Sequence, residues 1–172
     1  PPPNTTVVTW DAVAQQAISA VPLSAPDGHV LFAYVGIAMY DAAMAVNPTH
    51  KSFTTDVQAA PGASAEAAVA TAAHDVLVHF LPAQAATIID PAYANSLAAI
   101  PDGPAETAGI EAGAEVTEQL LEERGGDGFL APTTPPPIGT APGEWIPTAT
   151  TPPLGLSLVN MRPFTLKSND QF

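Results

Sequence analysis

The chain has no cysteine among its 172 residues, and only four lysine or arginine side chains stand against 17 aspartate and glutamate side chains. The absence of cysteine excludes disulfide bonds and thiolate metal sites, and it leaves the redox compartment open. The net charge of −13 disfavours binding to nucleic acid and docking on anionic lipid, because like charges repel. We therefore expect no nucleic-acid partner and no membrane partner.

Charged side chains make up only 12% of the sequence, which is low for a soluble domain that stands alone. Much of the surface must therefore be small, apolar or uncharged polar, and we expect a partner to cover part of it. The only long apolar stretch spans residues 29–46 and is interrupted by Asp41. A buried core helix explains this stretch better than a membrane span does.

The N-terminal end carries signs of processing and of export. The first residue is proline rather than methionine, which points to a processed or trimmed chain. Asn4 begins the sequence Asn-Thr-Thr, an acceptor site for N-glycosylation, so Asn4 is a candidate for glycosylation. We therefore interpret the chain as part of a secreted, extracellular glycoprotein.

Proline and glycine divide the first 125 residues into segments with helical patterns. The predicted helices span residues 10–20, 29–46, 65–81, 90–99 and about 105–124. Thr9, Ser64 and Asp90 are the expected N-caps of the first, third and fourth helices. Residues 83–89 are interpreted either as a separate turn or as a bent continuation of a helix. The second helix is apolar nearly all round, so we expect it to be the most buried.

The composition changes after the glycine pair that follows the fifth helix. Nine of the last 48 residues are proline, which prevents both helix and sheet. The expected apolar anchors of this segment are Trp145, Ile146, Leu154, Leu156, Leu158, Val159, Met161, Phe164 and Phe172. The sequence therefore predicts an all-α fold with a bundle of about five helices over residues 1–125. A long, irregular, Pro-rich strap over residues 126–172 would pack on the bundle or on a partner chain.

Two side chains are weak candidates for catalysis. Asp41 lies inside the most apolar predicted helix, where a carboxylate needs a partner. Pairing with backbone amides, with a helix N-terminus or with Arg124 therefore competes with a catalytic role. His74 lies in mid-helix beside Asp75. Because neighbouring residues on a helix point about 100° apart, we expect this pair not to act as a dyad. A packed or surface histidine competes with a metal ligand or general base.

Acidic side chains mark the fifth predicted helix. The glutamates concerned are Glu106, Glu111, Glu115, Glu118, Glu122 and Glu123. A solvated face is the favoured interpretation, with weak calcium binding as the alternative, although the spacing of a calcium loop is absent. The sequence also lacks a glycine-rich phosphate loop, a Gly-x-Ser-x-Gly elbow and a His-Glu-x-x-His motif. We therefore expect this chain by itself to bind no metal and no cofactor.

A set of short motifs runs in order along the chain. It comprises Trp10-x-x-x-Ala14, Ala38-Met39-Tyr40-Asp41-Ala42, Ser64-x-x-Ala67-Ala68-Val69-x-x-Ala72-Ala73-His74-Asp75-Val76-Leu77, Phe80-Leu81-Pro82, Tyr93-x-x-x-Leu97-x-x-Ile100-Pro101-Asp102-Gly103, Gly109-Ile110-x-x-Gly113, Arg124-x-x-Asp127-Gly128, Pro142-Gly143-x-Trp145-x-Pro147-Thr148 and Pro163-Phe164-x-Leu166-x-Ser168-x-x-Gln171-Phe172. In this order the set resembles the N-terminal half of vanadium-dependent haloperoxidase-like proteins, which are related to acid phosphatases.

The resemblance implies an all-helical fold in which this part contributes one bundle and the connection to a second. It also implies that a complete protein holds vanadate or phosphate with a lysine, two arginines and a Ser-Gly-His loop. Arg162-Pro163 is the only Arg-Pro pair, and Gly155 stands where the family pattern places the lysine. The sequence contains no Ser-Gly-His, so the resemblance assigns no catalytic residue within this chain.

Three functions from different classes are compatible with these observations. The favoured one is a non-catalytic N-terminal half, or processed subunit, of a haloperoxidase-like oxyanion enzyme whose catalytic residues belong to a C-terminal half or second chain. The alternative is a secreted binding or defence-type protein that reuses the half-fold through self-association as a homo-oligomer. The third is a stand-alone enzyme that uses Asp41, His74 or the glutamates. Halide and phosphoester substrates stay equally open.

Overall fold

The computed structural model describes residues 4–148 and 153–172, and over these residues all regular structure is helical. Its five α-helices are α1 (Asn4–Ser19), α2 (Ala25–Val46), α3 (Ala65–Phe80), α4 (Asp90–Ala98) and α5 (Pro104–Glu123). A 3-10 turn (Pro82–Gln84) and a π-helical turn (Ala85–Ile89) lead directly into α4, and a second 3-10 turn spans Leu156–Val159. The predicted all-α class with five helices is confirmed. Residues 149–152 of the predicted strap lie outside the described residues.

The chain divides into two units. The first consists of residues 1–22 and 30–125, and the second of residues 23–29 and 126–172. The first unit therefore holds α1, α3, α4, α5 and most of α2. The second unit holds the Pro-rich segment together with the first turn of α2.

Helix α3 is the central helix of the first unit. Its N-cap is Ser64, whose side-chain oxygen accepts a hydrogen bond from the Ala67 amide at 3.2 Å, as the sequence predicts. Nine of its 16 residues are buried because α5, α1 and α4 all pack against it. In α2 only nine of 22 residues are buried, so the expectation that α2 is the most buried helix is wrong. Small alanine side chains let three helices surround α3.

Two glycines set the close approach of α5 to α3. A β-carbon added at Gly109 would lie 2.8 Å from the β-carbon of Ala67. One added at Gly113 would lie 2.8 Å from the β-carbon of Thr71, and it would also meet the carbonyl oxygen of Ala68. Such distances are shorter than van der Waals contact, so only glycine permits this packing. The hydroxyl of Thr117 donates across the same contact to the Ala72 carbonyl at 3.3 Å.

Helices α1 and α2 both begin earlier than predicted. Thr9 is not the N-cap of α1, because its hydroxyl donates to the Thr5 carbonyl at 2.9 Å inside a helix that starts at Asn4. Helix α2 starts at Ala25 rather than at residue 29. The Ser24 hydroxyl oxygen accepts from the Asp27 amide at 3.3 Å, as an N-cap side chain does, and the same hydroxyl donates to the Asp27 carboxylate. Residues 25–28, which precede the predicted start of this helix, therefore form its first turn, where proline is tolerated.

Among the described residues, α2 is the one helix that is long and apolar enough to cross a membrane. Core helices of soluble proteins meet the same criterion. One face of α2 is buried within the protein. That face consists of Leu31, Tyr34, Val35, Ala38, Met39, Ala42 and Ala45. Gly36 and Tyr40 are exposed on the other side, so α2 is amphipathic in its packing although its composition is not.

Apart from the first turn of α2 and the 3-10 turn, the described residues of the second unit are irregular. The Ser157 hydroxyl donates to the Asp27 carboxylate at 2.8 Å, which ties this turn to the first turn of α2. The Arg162 amide donates to the Asp127 carbonyl at 2.6 Å, and the Asn169 side chain donates to the Val159 carbonyl at 2.7 Å. These contacts over long sequence separations give the segment a defined path without helix or sheet.

The predicted apolar anchors of this segment behave in two ways. Met161 is buried, and partial burial is found for Trp145, Leu156, Leu158 and Phe164. The other four are exposed and do not anchor the segment within this chain, so packing on a partner stays a prediction for them: Ile146, Leu154, Val159 and Phe172. The Trp145 carbonyl accepts from the Gly139 amide at 2.9 Å, which closes a local loop over residues 139–145.

Candidate functional site

The Asp41 carboxylate is completely buried and binds three consecutive backbone amides. Its oxygens accept from the amides of Phe53 at 2.6 Å, Thr54 at 2.8 Å and Thr55 at 3.0 Å. The predicted pairing with backbone amides is thus the one that the structure shows. This carboxylate fixes residues 53–55 to the middle of α2. These three contacts give the Asp41 carboxylate a structural role.

Arg124 lies at the C-terminal end of α5 and is buried. Its Nε donates to the Tyr34 hydroxyl at 3.4 Å, and its guanidinium carbon lies 5.8 Å from the centre of the Tyr34 ring. A cation over an aromatic face in a buried setting is a favourable contact. One of the four basic side chains of the sequence is therefore engaged in holding α5 to α2.

His74 on α3 bridges two carboxylates. Its Nδ1 lies 2.7 Å from an oxygen of Asp75 on the same helix, and its Nε2 lies 3.1 Å from an oxygen of Asp90 at the start of α4. The helix-geometry argument against a His74–Asp75 dyad is therefore wrong, because the two side chains are in contact. Backbone directions 100° apart describe where the side chains leave the helix, but rotation about the side-chain bonds brings a short carboxylate beside Nδ1.

Aromatic rings enclose the imidazole of His74 on two sides. The ring of Tyr93 on α4 stacks on it with 4.2 Å between centres, and the ring of Trp10 on α1 meets it edge-on at 6.4 Å. The hydroxyls of Tyr93 and Thr71 are hydrogen-bonded at 2.9 Å. Trp10 is completely buried, and its indole nitrogen has no acceptor among the described residues. We call Trp10, Thr71, His74, Asp90 and Tyr93 the His74 cluster.

The surroundings of His74 favour its charged form. Partial burial is the largest influence and by itself lowers the pKa of the imidazole. The hydrogen bonds to Asp75 and Asp90, together with the charges of those carboxylates, outweigh burial, so the pKa of His74 is raised above 6.5. Burial also raises the pKa of the Tyr93 hydroxyl above 10.0, which keeps that hydroxyl neutral. A histidine with carboxylates on both nitrogens has no nitrogen left for a substrate proton, which argues against a general base.

A cavity of about 320 Å³ lies between α1, the start of α3 and α4. Its lining consists of Thr5, Thr6, Thr9, Glu66, Ala92, Asn95, Ser96, Ala99 and Ile100. The hydroxyls of Thr9 and Ser96 already donate to carbonyls of their own helices. The described lining contains a carboxylate and no basic side chain, so it is unsuited to vanadate or phosphate.

The acidic face of α5 is solvated, as the sequence predicts. Glu111, Glu115, Glu118, Glu122 and Glu123 are all exposed. Within residues 4–148 and 153–172, no group of three or more histidine, aspartate or glutamate side chains is arranged to hold a metal ion.

Sequence reasoning did not assemble the His74 cluster. Its members come from α1, α3 and α4, and no local spacing connects Asp90 with a histidine 16 residues earlier. Trp10 and Tyr93 were noticed only as parts of motifs. Asn4, the candidate for glycosylation, is the first residue of α1, and its side chain is not among those that the structure describes.

Comparison of the chain with models of protein families, with curated proteins and with solved structures found no match.

Proposed function

We propose that this chain is the non-catalytic, N-terminal half of an oxyanion enzyme related to vanadium-dependent haloperoxidases and acid phosphatases. A C-terminal half or a second chain supplies the catalytic residues. The order of the motifs between Trp10 and Phe172 supports the relationship to this family. The observation that supports a partner half is the set of exposed apolar side chains in the second unit.

The apolar surface of the second unit is formed by side chains of the Pro-rich segment. The exposed large apolar side chains of the segment after residue 125 are Leu130, Ile138, Ile146, Leu154, Val159, Leu166 and Phe172. An accumulation of exposed large apolar side chains in one segment favours an interface. Among the described residues, the first unit exposes three, at Val8, Tyr40 and Phe53. The apolar surface is therefore concentrated where the resemblance places the connection to the second bundle.

The distribution of positive charge supports the same proposal. A trianionic oxyanion requires several converging cationic or N–H donors. The sequence contains four lysine and arginine side chains, and Arg124 is buried against Tyr34. Neither the cavity nor the His74 cluster contains a basic side chain other than the histidine itself. Vanadate or phosphate would therefore bind to groups that this chain does not contribute.

The proposal predicts that Val159→Glu weakens association with the catalytic half while Val8→Glu does not. The two valines are matched, because 67% of Val159 and 66% of Val8 is exposed. A buried, unpaired carboxylate at the interface is expected to lower recovery of the partner about tenfold. The measurement is capture of the tagged chain from the organism that produces it, followed by intact mass determination under denaturing conditions.

The expected companion is a polypeptide, or a continuation of the same chain, that contains a Ser-Gly-His loop and an arginine-rich anion site. Recovery of the 172-residue chain as a stable monomer would contradict the proposal. Light scattering that shows a homo-oligomer broken by Val159→Glu would instead establish the alternative, a binding protein that covers its own apolar surface.

A further inference from the structure

Both nitrogens of the His74 ring lie within hydrogen-bonding distance of carboxylate oxygens, at 2.7 Å from Asp75 and 3.1 Å from Asp90. A neutral imidazole has one N–H group and one lone pair. If the neutral ring donated to one carboxylate, its lone pair would face an oxygen lone pair of the other. Only the protonated ring donates to both. The arrangement therefore fits an imidazolium ion held between two carboxylates.

We propose that His74 is a pH-dependent clamp, which holds α4 against α3 while the imidazole is protonated and releases α4 when the proton leaves. Asp75 belongs to α3, the same helix as His74, whereas Asp90 is the first residue of α4. Loss of the proton removes one of the two hydrogen bonds. The bond to Asp90 is the longer and the more exposed, with 54% of the Asp90 side chain accessible, so it is the one that breaks.

The position of α4 depends on this contact more than is usual for a helix of a bundle. None of its residues is buried, so it contributes little apolar surface to hold itself in place. A π-helical turn (Ala85–Ile89) precedes it directly, and such turns interrupt the regular hydrogen bonding of a helix. Other described contacts of α4 are the stacking of Tyr93 on His74, the hydrogen bond between Tyr93 and Thr71, and the edge-on contact of Tyr93 with the Trp10 ring at 6.4 Å.

Among the groups that face His74, the imidazole itself is the one that gains or loses a proton near neutral pH. From α3 it meets Asp75, and from α4 it meets Asp90 and the neutral hydroxyl-bearing ring of Tyr93. From α1 it meets the Trp10 ring, which does not titrate. Glu106 of α5 acts on Tyr93 and not on His74. No cation is among these groups, so nothing in the cluster replaces the imidazolium charge when it is lost.

The direction of the pH effect follows from the raised pKa of His74 in the folded protein. The stabilisation is fully present below pH 6.5, the usual pKa of histidine in an unfolded chain. It is lost as the pH rises through the higher pKa of the folded state. The clamp therefore closes in acid and opens in mildly alkaline solution. Because α4 forms one wall of the 320 Å³ cavity, its release also widens that cavity.

Hydrogen exchange of the α4 amides tests the clamp on the full chain. Once corrected for intrinsic exchange rates, protection of residues 90–98 is expected to fall about tenfold between pH 5.5 and pH 8.5, which corresponds to the loss of one charge-assisted hydrogen bond. Protection of the α5 amides should change much less. The His74→Gln variant should show low protection of α4 at both pH values.

Two further variants complete the design. His79→Gln is the matched control, because His79 lies on the same helix, is exposed and contacts only the Phe80 ring among its described aromatic neighbours. It should retain the pH effect. Asp90→Asn keeps His74 and its stacking but removes the carboxylate, and it should abolish the effect even if His74→Gln fails to fold. A pH effect that persists in Asp90→Asn, or a titration of His74 at or below 6.5 by NMR, would overturn the proposal.

Discussion

Asp41→Ala is expected to lower the free energy of unfolding by about 3–5 kcal/mol, because it removes the charged acceptor of three backbone amides. Hydrogen bonds to a buried carboxylate are stronger than neutral ones, and the amide of Thr55 would remain buried without an acceptor. Residues 53–55 would lose their attachment to α2. Urea unfolding followed by circular dichroism measures the change.

Asp56→Ala is the control for Asp41→Ala. Asp56 is exposed in the same loop, and only its backbone amide makes a described contact, with the side chain of Gln119 at 3.4 Å. Its removal should leave the urea midpoint unchanged. If Asp41→Ala unfolded at the same urea concentration as Asp56→Ala, the assigned structural role of Asp41 would be wrong, and a catalytic interpretation of this carboxylate would regain weight.

Gly113→Ala should destabilise the bundle by about 3 kcal/mol, since the new methyl group has no room between α5 and α3. The obstructing atoms include the carbonyl oxygen of Ala68, which belongs to the α3 backbone and cannot rotate away. The two helices would have to separate, which loosens the contact along its length. Thermal and urea unfolding of the variant both measure the effect.

Gly36→Ala makes the same chemical change as Gly113→Ala but is expected to raise the stability of the protein. Gly36 is exposed in the interior of α2, and a β-carbon there meets no atom within 4 Å. Alanine has the higher helix propensity, so this variant should be more stable by about 0.5–1 kcal/mol. Equal effects at positions 36 and 113 would show that helix propensity, and not the close approach of α3 and α5, governs Gly113.

The sequence predicted the elements whose signals are local. Ser64 precedes an alanine-rich stretch and caps α3 as expected, and the glycine pair after Arg124 marks the end of α5. The solvated glutamate face of α5 also followed from spacing alone. Each of these depends on residues within one or two helical turns, so no knowledge of the tertiary structure was needed.

The predictions failed where distant residues decide the outcome. Thr9 lies inside α1 because this helix already starts at Asn4, and Pro26 lies inside α2 because the Ser24 hydroxyl accepts from the Asp27 amide and caps the helix there. The pairing of His74 with Asp90 depends on the π-helical turn that aims α4 back at α3. The buried fraction of α3 exceeds that of α2 because three neighbouring helices pack around the alanines of α3.

The proposal that another chain or domain supplies catalysis depends on the small number of lysine and arginine side chains. A bundle that carries Arg124 in its interior and an acidic face on α5 offers structural support but no attraction for an oxyanion. The apolar side chains after residue 125 then serve association instead of chemistry. On this account the pH-dependent clamp at His74 would alter the shape of the first unit without touching a substrate.

Equilibrium dialysis against vanadate measures whether the 172-residue chain by itself binds an oxyanion. We expect the chain to retain no more vanadate than a control protein of equal net charge, because the sequence has no Ser-Gly-His and only four lysine or arginine side chains. Saturable retention of one vanadate per chain, displaced by phosphate, would show an anion site within this chain and overturn the proposed function.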